Sequence, residues 1–301
     1  MRVAITGSSG RLGHALVDLA AESRDIVALP WTRADLDLDA PTGAADSLDR
    51  DGPDVVIHCA AWTDVDGNAR EPAVAEQRNG RATGVLAQAC RERGVGLVVI
   101  STNEVFDGRR TDGRPYRPSD RTSPANAYGR AKLLGEQLAA EAFEGTAAPL
   151  GIVRTAWLFG PPGADFPSKI VAAARSAQAS GSPLRLVADE AGSPTYGRDL
   201  AAGLLDLVSN GATAGVHHVV NGGFATRATW ARRVLRELEI EVETEDVSID
   251  TWPRPSTPPR WGVLEPTPLP TLGSLRPWEE ALAADLDRRR ATMELPAAAR
   301  G

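Results

Sequence analysis

Tyr128 and Lys132 stand four residues apart in the stretch Tyr128-Gly-Arg-Ala-Lys132. Ser123-Pro124 precedes them, a polar N-cap followed by proline at the first helical position. The run from there to Phe143 is expected to be a helix, with Leu133, Leu134, Leu138 and Phe143 as its apolar stripe. On a helix, positions i and i+4 share a face, so the phenol and the ammonium project from one side. A phenol with a pKa near ~10 is a weak acid at neutral pH, and a fixed cation beside it favours the phenolate. The pair is therefore a candidate proton donor. The same spacing also arises by accident on a solvated helix face, so its meaning depends on what else the chain supplies.

The elements that would position this pair begin at once. Arg2-Val-Ala-Ile-Thr6 is a short β-branched run suited to a buried parallel strand. Gly7-Ser-Ser-Gly10-Arg-Leu-Gly13 follows, and Leu12, Ala15, Leu16 and Leu19 then recur at helical spacing. A glycine-rich turn between a first strand and a first helix lets a dinucleotide approach the backbone, its pyrophosphate facing the helix N-terminus. Gly7, Ser9, Gly10, Arg11, Leu12 and Gly13 are the expected contacts; the competing reading is a tight turn with no ligand. The second strand is expected at Asp25–Leu29, with Trp31-Thr32-Arg33 at its end. An acidic residue there binds a ribose 2′-hydroxyl, whereas an arginine accommodates a 2′-phosphate, and Arg33 lies about twenty residues past Gly13. NADPH is thus the expected cofactor, with NADH as the alternative; otherwise Arg33 is a solvated loop cation. The third strand, Asp54–Ala60, ends in small residues that leave room for a ligand. His58 within it reads as a satisfied core histidine.

A helix from Pro72 to about Arg93 carries Asn79, and Gly96–Thr102 is the fourth strand, ending in Ser101-Thr102. The polar loop from Asn103 to Pro124 is long for a structureless connection, which points to a function. After the Tyr128 helix comes a strand at Gly151–Trp157. This alternation implies an α/β fold: a Rossmann-type doubly wound parallel sheet with a smaller C-terminal substrate-binding lobe. Residues 1–160 would form the dinucleotide-binding unit, with 198–228 returning to it. Residues 161–197 and 229–290 would form the lobe. Its expected elements are helices Pro167–Ala179, Thr229–Leu238 and Trp278–Asp287 and a strand Leu184–Val187; helix Asp199–Val208 and strand Val216–Val220 fall in the returning segment. The proline-studded stretch Thr251–Pro277 reads as loops, and Arg288-Arg-Arg290 with residues 291–301 as a solvated, frayed tail.

Composition bounds the function. Of 301 residues, 42% are hydrophobic and 24% charged, as in an ordinary globular protein. A net charge of -7 argues against nucleic acid or an anionic membrane as the main partner. No apolar run is long enough to span a bilayer, and Met1 leads straight into a strand pattern, so a cytoplasmic protein without a signal peptide is expected. Cys59 and Cys90 read as unbridged buried thiols. His14, His58, His217 and His218 show no metal-ligand spacing, so no metal site is expected.

The blocks Ala60-Ala-Trp-Thr-Asp-Val-Asp66, Ser101-Thr-Asn-Glu-Val-Phe-Asp-Gly108, Tyr128-Gly129 with Lys132, Arg154-Thr-Ala-Trp157, Gly192-Ser-Pro-Thr195 and Arg254-Pro255 occur in this order. Together with the glycine turn they resemble the extended, sugar-nucleotide branch of the short-chain dehydrogenase/reductases, and within it the dTDP-4-dehydrorhamnose reductase family. The resemblance implies NADPH-dependent reduction of a 4-keto-6-deoxy sugar on a nucleoside diphosphate. It implies that Tyr128 protonates the developing alkoxide, that Lys132 lowers the Tyr128 pKa and holds the nicotinamide ribose, and that Thr102 bonds the carbonyl oxygen. It further implies that Asp37, Leu38, Ala60, Ala61, Thr63, Asn79 and Ser101 meet the cofactor, and that Asn103, Glu104, Val105, Phe106, Trp157 and Arg254 meet the nucleotide sugar. The family usually has Asp then Tyr where this chain has Asn103 and Glu104, so the sugar itself is left open. The same two positions half-resemble the sugar-nucleotide 4,6-dehydratases, which use an Asp-Glu pair there. A dehydratase or epimerase, and a non-catalytic cofactor-binding subunit, are therefore the alternatives, and a homodimer is left open.

Overall fold

The computed structural model describes residues 1–291. Its centre is a six-stranded sheet with the spatial order Gly215–His218, Leu150–Thr155, Gly96–Thr102, Val55–His58, Arg2–Thr6, Val27–Trp31. All five pairings are parallel. Side chains alternate across each strand. Val3, Ile5, Val55 and Ile57 enter one core with Leu12, Leu16, Leu200 and Leu204. Ala4, Val56, Leu97 and Val99 enter the opposite core with Leu86, Cys90, Ala139 and Phe143. Both faces are thus covered by helices, the doubly wound arrangement expected. The strand order reverses between Arg2–Thr6 and Val55–His58. In open α/β sheets a reversal of this kind opens a crevice beyond the strand C-termini.

Several elements differ from the sequence expectation. The second strand is Val27–Trp31 rather than Asp25–Leu29, with Thr6 beside Trp31. It is an edge strand, which is why Pro30 is tolerated in it. A helix at Ala44–Asp51, not anticipated, precedes the third strand and ends at Gly52 in a left-handed conformation, φ 51°. The single helix expected from Pro72 to Arg93 contains a π-helical segment, Glu76–Arg81, between α-helical pieces Pro72–Ala75 and Ala82–Glu92.

The Tyr128 helix spans Ala127–Phe143, and its N-cap is Asn126, whose side chain accepts from the Gly129 N–H at 2.8 Å. Ser123 lies outside it. The expected leucine stripe is only half-buried; the buried face is Ala131, Lys132, Gly135, Glu136, Ala139 and Phe143. Small residues win here because the helix crosses the π segment closely: a Cβ on Gly135 would sit 2.7 Å from the Asn79 carbonyl oxygen.

A second core lies in the C-terminal half. Helices Phe166–Ser180, Arg227–Glu237 and Trp278–Ala291 bury Ile170, Ala174, Trp230, Val234, Leu282 and Leu286 with Phe159 and Tyr196. The last helix outruns the expected Asp287. Arg288–Arg290 are helical rather than frayed, and Arg289 is buried, pairing with Asp285 at 2.8 Å and with Asp165. Residues 292–301 of the expected tail lie outside the described residues. The loop after Thr102 is stitched by backbone bonds to the 261–265 segment, at Trp261 to Gly108, Tyr116 to Val263 and Glu265 to Tyr116. Among the described residues no helix is long and apolar enough to cross a membrane, and Cys59 and Cys90 are unbridged.

One ion pair ties the sheet to the Tyr128 helix. Arg154 donates to both oxygens of Glu136, at 3.0 and 2.7 Å, and Ser101 Oγ donates to the same carboxylate. Both partners are nearly inaccessible to solvent. Removing one member leaves an uncompensated buried charge, so Arg154→Met is expected to lower the unfolding free energy by about 3–5 kcal/mol. Adding Glu136→Gln should return part of that loss in denaturant titration; a double variant no more stable than Arg154→Met would show the charge is not the cause.

Candidate active site

The turn from Gly7 to Gly13 is built by exclusion of side chains. Gly7 has φ +61°, and a Cβ there would lie 2.9 Å from the backbone of Ala60 on the neighbouring strand. A Cβ on Gly13 would lie 2.3 Å from the Gly7 carbonyl oxygen. The first helix, Arg11–Ala21, therefore starts almost on top of the strand reversal. Its N-cap, Gly10, offers no side chain to the first-turn N–H groups, and the first turn holds no acid. Those N–H groups carry partial positive charge and suit an anionic pyrophosphate.

A cleft of about 740 Å³ opens here, a size suited to a cofactor or substrate. Its wall includes Gly7, Ser9, Gly10, Arg11, Leu12 and Gly13 from the turn, Arg33, Asp37 and Leu38 from the second strand's exit, and Ala60, Ala61 and Thr63 from the third. Ser101, Thr102, Asn103, Glu104, Tyr128, Lys132 and Trp157 line the same space. Arg11 borders it but turns its guanidinium to the carbonyls of Gly160, Pro162 and Ala164. It fastens the turn to the 160–164 loop.

Thr102 ends its strand and caps the short 3₁₀ turn Asn103–Val105, accepting from the Glu104 N–H at 3.2 Å. Beside it in register is Thr155, whose buried hydroxyl has no hydrogen-bond partner in the protein. A buried hydroxyl without a partner is uncommon, and its place on a cleft wall puts it within reach of whatever occupies the cleft. Lys132 is 2% exposed. Burial lowers its pKa to about 8, against the opposing pull of Glu136 and Cys59. Tyr128 differs from expectation: burial, with the Glu104 carboxylate adding to it, pushes the phenol up rather than down. Both influences favour the neutral form, so the phenol keeps its proton at neutral pH. Burial raises Glu104 as well, although Asn126 bonds its carboxylate. Asn126 also donates to the Thr257 carbonyl, so the cap of the Tyr128 helix is tied to the lobe.

His58 is a core residue, as expected, with Thr6 Oγ1 2.9 Å from Nδ1 and Thr83 Oγ1 3.3 Å from Nε2. Burial and the nearby Lys132 charge drive its pKa down to about 3, so it is neutral. The Cys59 thiol is pushed up to about 12 by burial and is unreactive.

Residues 1–291 match the family described as the RmlD substrate binding domain. The chain belongs to that family. It is 40% identical over 292 residues to a dTDP-4-dehydrorhamnose reductase of Mycobacterium tuberculosis, covering 95% of this chain and 92% of the relative. A solved dTDP-4-dehydrorhamnose reductase of Clostridium acetobutylicum superposes with a TM-score of 0.88 at 29% identity, covering 96% of this chain and all of that one. Another, from Bacillus anthracis and in complex with NADP, superposes with a TM-score of 0.85 at 29% identity, covering 95% and 99%.

Four residues expected at the site of this RmlD-family chain do not line the cleft. Asn79 is 1% exposed and bonds the Trp62 N–H and carbonyl and the Asn68 amide. It shapes the loop after the third strand from behind. Val105 and Phe106 are fully buried with Tyr116 and Leu264, because the 3₁₀ turn after Thr102 carries them into the seam under the loop. Arg254 pairs with Asp66 at 3.0 Å, outside the cleft wall, although its charge reaches Glu104.

Thr155, Arg78 and Arg227 are among the side chains that line the cleft and that sequence reasoning missed. Thr155 was legible in principle from its register with Thr102. Arg78, on the π segment, and Arg227, at the start of a lobe helix, were not. Arg227 lies 3.6 Å over the Trp157 ring and pairs with the buried Glu190 at 2.9 Å. Trp157 itself has φ +43°, a strained conformation for a bulky residue, and such strain clusters at functional sites. Gly192 makes room for it: a Cβ there would lie 2.4 Å from the indole. Gly192→Ala is expected to displace Trp157, cost about 1–3 kcal/mol of stability and alter the near-ultraviolet circular dichroism. An unchanged spectrum and melting temperature would refute the tight contact.

Proposed function

We propose that this protein reduces a 4-keto-6-deoxy sugar carried on a nucleoside diphosphate, with NADPH as reductant. The observation that carries the reading is the convergence of Thr102, Tyr128 and Lys132 on the cleft that also holds the glycine turn. The names of the relatives agree with it, as does the NADP in the Bacillus anthracis structure. The bare glycines, the uncapped helix N-terminus and the orphan Thr155 hydroxyl all fit a dinucleotide. In this reading the parallel sheet, including residues 198–228, holds the cofactor, and residues 161–197 and 229–290 supply the sugar side.

NADPH, when bound, supplies the electron pair and hydrogen that reduce the keto carbon. Thr102 Oγ1 hydrogen-bonds the carbonyl oxygen and orients it. Tyr128 gives its phenolic proton to that oxygen as negative charge develops there. Its raised pKa suits this role, since the proton stays on the phenol until an alkoxide, a far stronger base, appears. Lys132 places a positive charge beneath the pair and steadies the phenolate that remains. Trp157, with Arg227 stacked on it, forms a flat face for the sugar.

The dehydratase reading is weaker. Asn103 donates its amide to the Gly262 carbonyl at 3.2 Å and has no proton to give as an acid. Net loss of absorbance at the reduced-nicotinamide band on adding a 4-keto nucleotide sugar is expected; product formation without that loss would favour the dehydratase.

Tyr128→Phe is expected to lower kcat about 10²–10⁴-fold while nucleotide affinity persists. Normal turnover would remove Tyr128 from the role. The Lys132 ammonium is charged below its pKa of about 8 and neutral above it. The ratio kcat/KM should therefore fall as pH rises through about 8, and a profile flat into the range of an ordinary lysine would show that the required ammonium does not titrate near 8.

A further inference from the structure

A phenol that gives up its proton in every turnover must recover one, and the structure limits where it can come from. Below the Tyr128–Lys132 pair the described residues are closed to proton traffic. Lys132 itself is buried. Glu136 is held by Arg154 and Ser101. The Cys59 thiol is pushed up to about 12 by burial, and His58 is neutral between Thr6 and Thr83. The open side is the cleft, and the carboxyl that stands there beside Tyr128 is Glu104. Asp37 and Asp39 also border the cleft, but at the second strand's exit, where they pair with Arg33 and Arg78.

Glu104 is fixed to the reacting groups from three directions. Its backbone N–H donates to Thr102 Oγ1 at 3.2 Å. Its carbonyl lies against the Tyr128 helix, where a Cβ on Gly129 would sit 2.0 Å from the oxygen. Its Oε2 accepts from Asn126 Nδ2 at 2.5 Å, and Asn126 is the cap of the same helix. Oε1 carries no bond within the described residues and is left for the cleft. Thr102, Glu104 and Tyr128 thus belong to one packed turn-and-helix unit, and the Glu104 charge reaches the phenol. Burial favours the protonated carboxyl and the Asn126 bond opposes it; of the more distant charges, Glu190 favours the proton and Arg227 and Arg254 oppose it. A carboxylic acid is a far stronger acid than a phenol, so a proton passes downhill from one to the conjugate base of the other.

Resting on the reductase reading, we propose that Glu104 returns the proton to Tyr128 after each turnover. The Tyr128 phenolate left by the reduction takes the proton of Glu104 through water in the cleft. Glu104 becomes a carboxylate, bonded by Asn126 and within the field of Arg227, and solvent then returns a proton to it. One proton enters from solvent for each ketone reduced, the one the product alcohol carries away, and no electron moves in this step. Glu104 thus acts through Tyr128. The alternative is a carboxyl that only contacts the sugar.

The two are separated by rapid mixing of the full chain with excess NADPH and dTDP-4-dehydrorhamnose or dTDP-4-keto-6-deoxy-glucose. Glu104→Gln keeps an oxygen for Asn126 but has no proton to lose. Its first turnover, for which Tyr128 already holds a proton, is expected within about threefold of the wild-type rate, and the amplitude of that burst counts the folded sites. The steady state that follows should be slower than wild type by at least about tenfold, and slower again in D2O. Equal slowing of burst and steady state, as loss of a sugar contact would give, would overturn the relay and leave the reductase reading standing. So would an unchanged steady state, or a slow phase indifferent to D2O. A wild-type chain that oxidised NADPH with neither sugar would overturn both.

Discussion

One carboxylate beneath the cleft serves two cations. Glu136 is gripped by the Arg154 guanidinium and bonded by Ser101, and its charge opposes the loss of the proton from Lys132. Three elements are joined by this: the fourth strand through Ser101, the fifth through Arg154, and the Tyr128 helix through Lys132 and Glu136. A buried ion pair is poor evidence of stability by itself, since desolvation offsets most of the attraction. What it provides here is position. The helix cannot slide or rotate against the sheet without stranding a charge, so Thr102 and Thr155 on the strands keep their relation to Tyr128 and Lys132.

The second constraint is steric. Gly7, Gly13 and Gly135 stand where backbone meets backbone, and each would drive a Cβ into main-chain atoms. At the first two, the closeness brings a helix N-terminus onto the strand reversal. At Gly135 it brings the Tyr128 helix onto the π segment that carries Arg78 and Asn79. The glycine turn and the Tyr128 helix are thus both placed by contacts that tolerate only glycine. The wall around Trp157 is held differently, by the stacked pair of Arg227 and Trp157, and backbone bonds tie the loop after Thr102 to the 261–265 segment.

Much of the fold was readable from local pattern. Gly96–Thr102 and Leu184–Val187 are strands at the expected bounds, and the first helix opens out of the glycine turn at Arg11. Apolar runs, glycine turns and small strand ends are local signals. Errors fell where a distant contact overrode a local preference. Asn126 displaced Ser123 as the cap, and a small-residue face displaced the leucine stripe, because Gly135 must pass close to Asn79. Arg288–Arg290, charged and near the end, read as solvent-facing, yet Arg289 has buried acids waiting at Asp165 and Asp285.

The sequence by itself determined the chemistry on offer: a phenol and an ammonium one helical turn apart, a hydroxyl at a strand tip, and a glycine turn opening the first helix. These are spacings within a few residues, and secondary structure alone converts them into geometry. The tertiary structure decided which of them share a cleft, which way the phenol's pKa moves, and that Asn79, Val105, Phe106 and Arg254 stand aside while Arg78, Thr155 and Arg227 come in. Burial and charge at a point depend on every chain segment that passes it, and those segments are separated by tens to hundreds of residues along the chain.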